Sequence, residues 1–324
     1  MTGKGLEITK EFYDNDEAKV KVPRAGGILI WSTTIAFSLL FWFIMKIETN
    51  PTTQFLNFID RRQTFIPLGT LFFASIAGFV DDALSTMEGG GNYFAGGLKL
   101  SHRFGFVTLL SALIGIWFYL RLELTQFNFA FFEVDFNNLI FLEQFGLTPM
   151  VGWLVIPLVI VVLLMLWGSS MIDGFDGLAT GCFIPLYLCF AGLSFARGFY
   201  DIAALLMVMV GAMTAYLWYN IPPAKFYMGD TGTMGILLTI GVVAFLIDAL
   251  YVLPIAGFVL LLTEGSVIIQ TFSKKFLGKK VFKAAPIHHH FEAIGWLRHQ
   301  VTMRYWLVAI MTSVLGLAVG LVVG

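Results

Sequence analysis

The chain has 324 residues, of which 58% are hydrophobic and only 13% charged, and its mean hydropathy is +0.82. A soluble domain carries about 25% charged residues, so the composition excludes that class and fixes an integral membrane protein. A net charge of −1 gives no reason to expect nucleic acid as a partner.

Residues 1–27 begin polar and mixed in charge, neither a signal peptide nor a spanning helix, and read as a cytoplasmic N-terminal segment. Apolar runs near the length of about 20 residues needed to cross a bilayer then follow at 28–45, 65–80, 104–122, 150–167, 178–196, 202–219, 233–250, 252–271 and 303–323. The expectation is an all-α polytopic bundle of about nine transmembrane helices with cytoplasmic catalytic loops. No linker or fixed-period repeat divides the chain, so residues 1–324 read as a single domain.

Fifteen of the twenty Lys and Arg residues fall on one side of this topology, among them Lys99, Arg103, Lys225 and the five lysines between Lys274 and Lys283. Lys46, Arg61, Arg62, Arg121 and Arg197 fall on the other. The first side is therefore expected to be cytoplasmic, with the N-terminus inside and the C-terminus outside.

The connections differ in character. Gly89-Gly90-Gly91 and Gly96-Gly97 predict a tightly turned backbone within 81–103. The outside stretch Asn128 to Phe136 predicts a short hairpin at the interface. Residues 272–302 form a cytoplasmic basic and histidine-bearing loop whose lysines alternate with Phe272, Phe276, Leu277 and Phe282, a pattern suited to anionic membrane lipid. Cys182 and Cys189 read as buried apolar thiols.

Four polar clusters end apolar runs on the expected cytoplasmic side: Asp81-Asp82, Asp173 with Asp176, Asp230, and His288-His289-His290. Adjacent carboxylates repel unless a cation or proton relieves them, and an acid at a membrane rim is a functional-site hypothesis by default. In MIDGFDGLATG, glycines allow close backbone approach to a ligand, and a helical turn would put Asp173 and Asp176 on one face. Asp230 follows Pro222-Pro223 at the start of a helix, where it either caps or presents oxygen to a divalent cation, with Tyr227 stacking on a planar ring. Three carboxylate sites at one mouth suit Mg²⁺, which bridges carboxylates to substrate phosphates. The histidines read as donors to a phosphate or carbonyl.

GFVDD, MIDGFDGLATG, WYNIPPAKFYMGDTG and APIHHHFEAIGW, in this order between apolar helices, resemble the phospho-N-acetylmuramoyl-pentapeptide transferase family of the polyprenyl-phosphate N-acetylhexosamine-1-phosphate transferase superfamily. The resemblance implies Mg²⁺-dependent transfer of phospho-N-acetylmuramoyl-pentapeptide from UDP-MurNAc-pentapeptide to undecaprenyl phosphate, giving lipid I and UMP at the bacterial cytoplasmic (inner) membrane. It also suggests a homodimer. It implies a catalytic set of Asp81, Asp82 and Asp230, a metal held by Asp230 and Asp173, and substrate binding by Lys21, Asp173, Asp176, Asn220, Tyr227, His288 and His289. The family pattern has Lys where this chain has Ser85, Asn where it has Ser170, and a small polar residue where it has Arg24. Lys99 or Arg103 is expected to supply the charge missing at Ser85. Other readings are a related transferase using another UDP-amino sugar, a membrane transporter with intramembrane acids, and an inactive cell-wall scaffold.

Overall fold

The computed structural model describes residues 22–47, 58–59, 62–87, 97–122, 126–128, 133–135 and 152–323. Helices α1 (Gly27–Ile47), α2 (Arg62–Met87) and α3 (Leu100–Arg121) come first. A two-stranded antiparallel hairpin follows, β1 (Gln126–Asn128) pairing with β2 (Glu133–Asp135) with Phe127 opposite Val134. Then come α4 (Val155–Gly168), α5 (Leu178–Ala196), α6 (Tyr200–Asn220) and α7 (Gly229–Leu246), the short α8 (Leu253–Ala256), α9 (Phe258–Phe272), α10 (Ile287–Ala293) and α11 (Arg298–Val323).

Among the described residues, eight helical segments are long and apolar enough to cross a membrane, and a ninth is the bent pair of 250–256 and 258–277. The all-α polytopic bundle expected from hydropathy is therefore present, and the hairpin forms with its second strand inside the expected 128–136 stretch and its first strand starting two residues earlier, at Gln126. One expected span differs in shape: the run at 252–271 is broken by a 78° bend at Gly257. The α2 run also outlasts its apolar part, continuing to Met87, so Asp81 and Asp82 sit inside a helix instead of ending it.

The core lies around α7, which is buried at every residue from Thr231 to Leu246. Small residues let its neighbours approach backbone to backbone, as they do where helices associate in lipid. A Cβ on Gly78 of α2 would collide with the Asp230 carbonyl, and one on Gly27 of α1 would collide with Gly232. These contacts fix the first turn of α7 against two other helices. At the opposite end, Arg197 ties the bundle together by donating to the carbonyls of Ile247 (2.6 Å), Asp248 (2.9 Å) and Gly320 (3.1 Å). A cation suits the carbonyl-rich C-termini of α7 and α11.

Candidate active site

The site is built on the first turn of α7. Gly229 has φ +67°, the left-handed region that glycine adopts without cost, and a side chain there would run into the Asp82 carboxylate. With that space open, Asp82 reaches from α2 to the N-terminus of α7. Its Oδ2 accepts the Thr231 N–H at 2.9 Å and the Thr231 hydroxyl at 2.6 Å, and its Oδ1 accepts the Asp230 N–H at 3.3 Å. Asp82 thus caps a helix to which it does not belong, satisfying donors that α7 itself leaves open.

Asp81, its neighbour, turns to the 97–103 segment. Its Oδ1 accepts the Leu98 N–H at 2.7 Å, and its Oδ2 pairs with an Arg103 guanidinium nitrogen at 2.9 Å. The other terminal nitrogen of Arg103 pairs with Asp230 Oδ2 at 2.7 Å, and its Nε donates to the Leu98 carbonyl at 3.1 Å. Of the two cations expected to serve this loop, Arg103 enters the site while Lys99 is exposed. Ser85 lies in the same helix with its hydroxyl donating to the Asp82 carbonyl at 2.8 Å.

Asp173 and Asp176 do not share a helical face, because the chain from 173 to 177 is a non-helical turn that ends at Gly177 with φ +73°. The two carboxylates diverge to separate points of the 221–229 loop, near its middle and at its end. Asp173 Oδ2 accepts the Gly229 N–H at 3.3 Å, and Asp176 Oδ2 accepts the Ala224 N–H at 3.2 Å. Burial raises the Asp173 pKa to about 7, aided by the charges of Asp82 and Asp176 and opposed by the Gly229 N–H and Arg24. Arg24, which stands in place of the family's small polar residue, thereby adds positive charge beside this acid.

Asn220 is buried and spans the same loop: its Oδ1 accepts the Gly177 N–H at 3.0 Å and its Nδ2 donates to the Phe226 carbonyl at 2.9 Å. Tyr227 pairs through its main chain with the segment before α1, donating to the Pro23 carbonyl at 3.0 Å and accepting from Gly26 at 2.7 Å. The ring gathered by the aromatic cluster is instead Phe226, with Tyr216 at 5.3 Å and Tyr219 at 6.0 Å between centroids. Lys21 lies outside the described residues.

The histidines take different positions on α10. His288 is fully buried, its Nε2 directed at Gly174, and neither ring nitrogen has a hydrogen-bond partner. Burial, with the neighbouring His289, lowers its pKa to about 3 and keeps the ring neutral. His289 Nδ1 lies 3.0 Å from Glu292 Oε2, and Arg298 Nε donates to Glu292 Oε1 at 2.6 Å. The His289 hydrogen bond, together with Arg298, holds the Glu292 pKa down to about 2. His290 accepts the Lys283 N–H at 3.1 Å, which anchors the basic loop.

Asp82 lies close enough to both Asp173 and Asp230 for its charge to oppose theirs, and such a set of hard oxygen donors is the chemistry Mg²⁺ accepts. Among the described residues no three His, Cys, Asp or Glu groups form a ready-made cage. A cation here would share its shell with water and substrate phosphate, as Mg²⁺ commonly does. Sequence reasoning did not single out Leu98 or Glu292; Leu98 acts through its main-chain N–H and carbonyl, which leave no side-chain signature.

Residues 64–248 match the family model described as Glycosyl transferase family 4. The chain is 30% identical over 334 residues to a phospho-N-acetylmuramoyl-pentapeptide-transferase of Methylacidiphilum infernorum, covering 97% of this chain and 83% of that one. It is 30% identical to the protein of the same name from Staphylococcus carnosus, with 98% and 90% covered. It is 28% identical to that of Geobacillus thermodenitrificans, with 97% and 88% covered.

Proposed function

This chain belongs to the phospho-N-acetylmuramoyl-pentapeptide-transferase family, and from that premise we infer that it transfers phospho-N-acetylmuramoyl-pentapeptide from UDP to undecaprenyl phosphate in peptidoglycan synthesis. The products are lipid I and UMP. The observation that carries the reading is the convergence of Asp81 and Asp82 from α2 and Asp173 from the turn before α5 on the first turn of α7, which carries Asp230. A helix N-terminus offers unpaired N–H groups and favours anions. A soluble nucleotide and a bilayer-anchored phosphate meet only at a membrane surface, and the Lys and Arg distribution supports the cytoplasmic face of the bacterial inner membrane.

In the reaction, an oxygen of the lipid phosphate attacks the sugar-bearing phosphorus of the diphosphate. A new P–O bond forms, and the bond from that phosphorus to the bridging oxygen breaks, so UMP leaves with the electron pair. With a second pKa of about 6, a phosphate monoester is largely ionised at neutral pH, so in-line attack needs orientation more than a strong base. Asp230 and Asp173 are the carboxylates assigned to Mg²⁺, which when bound neutralises the diphosphate and polarises the scissile bond. Arg103 brings a planar fork of donors suited to phosphate oxygens. Asp81 orients Arg103, and Asp82 holds the turn that carries Asp230, so both work through neighbours. His288, neutral and without a partner, is suited to give one hydrogen bond and accept another at the sugar-phosphate side. Asp176 and Asn220 shape the 221–229 loop, whose Phe226 and Tyr227 serve the uracil.

UMP release from UDP-MurNAc-pentapeptide and undecaprenyl phosphate, with and without Mg²⁺, tests the assignment. Omission of Mg²⁺ should abolish release. Asp230→Asn should lower the rate by more than the roughly 10–100-fold typical of residues one layer behind a metal. UDP-N-acetylglucosamine should give no UMP, and wild-type turnover in Asp230→Asn would overturn the metal role.

A further inference from the structure

Arg103 is the cation that stands between the acids, and its geometry is asymmetric. One terminal nitrogen and Nε are bound within the 81–103 region, to Asp81 at 2.9 Å and to the Leu98 carbonyl at 3.1 Å. The other terminal nitrogen alone crosses to α7, where it holds Asp230 Oδ2 at 2.7 Å. The Asp81 side chain is 5% exposed, whereas those of Arg103 and Asp230 are 28% and 23% exposed. The anchored half of the ion-pair bridge is thus buried, and the crossing half opens to the site. A divalent cation bound at Asp230 takes up the carboxylate's charge and repels the guanidinium held 2.7 Å from Oδ2, so the metal and the crossing nitrogen of Arg103 compete for one anion.

We propose that Arg103 is a cation-released latch: it holds Asp230 to Asp81 while the site is empty, and a divalent cation arriving at Asp230 frees its crossing nitrogen to grip a diphosphate oxygen. The inference rests on the assignment of Asp230 to the metal. Asp81 and the Leu98 carbonyl keep the rest of the guanidinium in place, so release needs only a small swing of the fork. The freed donor then lies beside a metal-bound carboxylate, where a phosphate bridging metal and arginine gains from both. Metal and nucleotide binding are therefore coupled through one side chain, and each must strengthen the other. The latch also prevents Asp81 and Asp230, close enough to interact directly, from facing each other as bare charges before the cation arrives.

The experiment is Mn²⁺ binding to the purified full chain, followed by the free-ion resonance signal, with and without UDP as the diphosphate probe. In Arg103→Gln, Mn²⁺ affinity without UDP should rise by about 5–10-fold, because the competitor is gone, and the strengthening of Mn²⁺ binding by UDP should shrink by a similar factor. Arg103→Lys, whose single ammonium lacks the planar fork, should shift both quantities the same way by a smaller amount, and serves if the glutamine variant does not fold. Affinity that stays equal or falls in these variants, or undiminished UDP coupling, would overturn the latch. Asp230→Asn separates the two ideas. Mn²⁺ binding that survives it sinks the metal assignment and the latch together, whereas its loss alongside unchanged binding in Arg103→Gln sinks the latch alone.

Discussion

Asp173 is an acid whose surroundings work against its charge. Its pKa of about 7, against 3.8 for an ordinary aspartate, comes chiefly from burial, then from Asp82 and Asp176. Because the folded pKa is raised, the protonated carboxyl favours the folded state below about pH 3.8, and that contribution is lost as pH rises through about 7. A cation that binds the carboxylate must compete with this proton. The rise in thermal midpoint produced by Mg²⁺ should therefore be small at about pH 6 and larger at about pH 8, and should lose part of its pH dependence in Asp173→Asn. A Mg²⁺ effect equally large at both pH values would show that Asp173 is not at the metal. The sequence made this residue visible as an acid beside glycines. It gave no sign that Asp173 and Asp176 part company, since that depends on a left-handed Gly177 and on main-chain donors 56 and 48 residues away.

At the scale of elements, the Asp82 cap decides whether α7 begins where Asp230 needs it. The side chain satisfies two N–H groups and one hydroxyl inside a buried junction, so removing it leaves donors without acceptors at a cost of about 1–3 kcal/mol. Asp82→Ala should lower the thermal midpoint by several degrees and reduce UMP release together, because the displaced turn carries Asp230. Asp82→Asn keeps one acceptor oxygen and should recover part of the stability. An alanine variant as stable as the parent would refute the capping role. Hydropathy made the spans readable because each spanning run must be apolar over its whole length. It could not show the cap, which joins residues 148 and 149 positions apart. Nor did it show the bend at Gly257, because the apolar run continues across the break. The choice of Arg103 over Lys99 follows from where α3 begins: Lys99 is the exposed residue before the helix, with extended backbone (ψ 144°), whereas Arg103 lies inside the first turns and pairs with Asp81 of α2.

On the scale of the whole molecule, the placement of the site's acids on one surface depends on alternation of the spans. With the N-terminus inside, α2, α4 and α6 end at the same face at which α3, α5 and α7 begin, and this brings Asp81, Asp173 and the 221–229 loop together. The bent eighth span returns the chain to that face before α10 and its histidines. Arg197 and the turn between α5 and α6 then belong to the other face. This arrangement requires 250–256 and 258–277 to make one crossing together, because a re-entrant pair would leave α10 on the same side as Arg197. Thiol labelling in intact cells separates the two arrangements. Cys182 and Cys189 are buried, so the parent chain should react little with a membrane-impermeant maleimide. Tyr200→Cys, at an exposed position beside the α5–α6 turn, should label from outside. Lys99→Cys and Lys279→Cys, both at exposed positions, should label only after the cells are opened. Labelling of Lys279→Cys in intact cells would place the histidine helix outside and separate it from the acids, which the contact of His288 with Gly174 forbids.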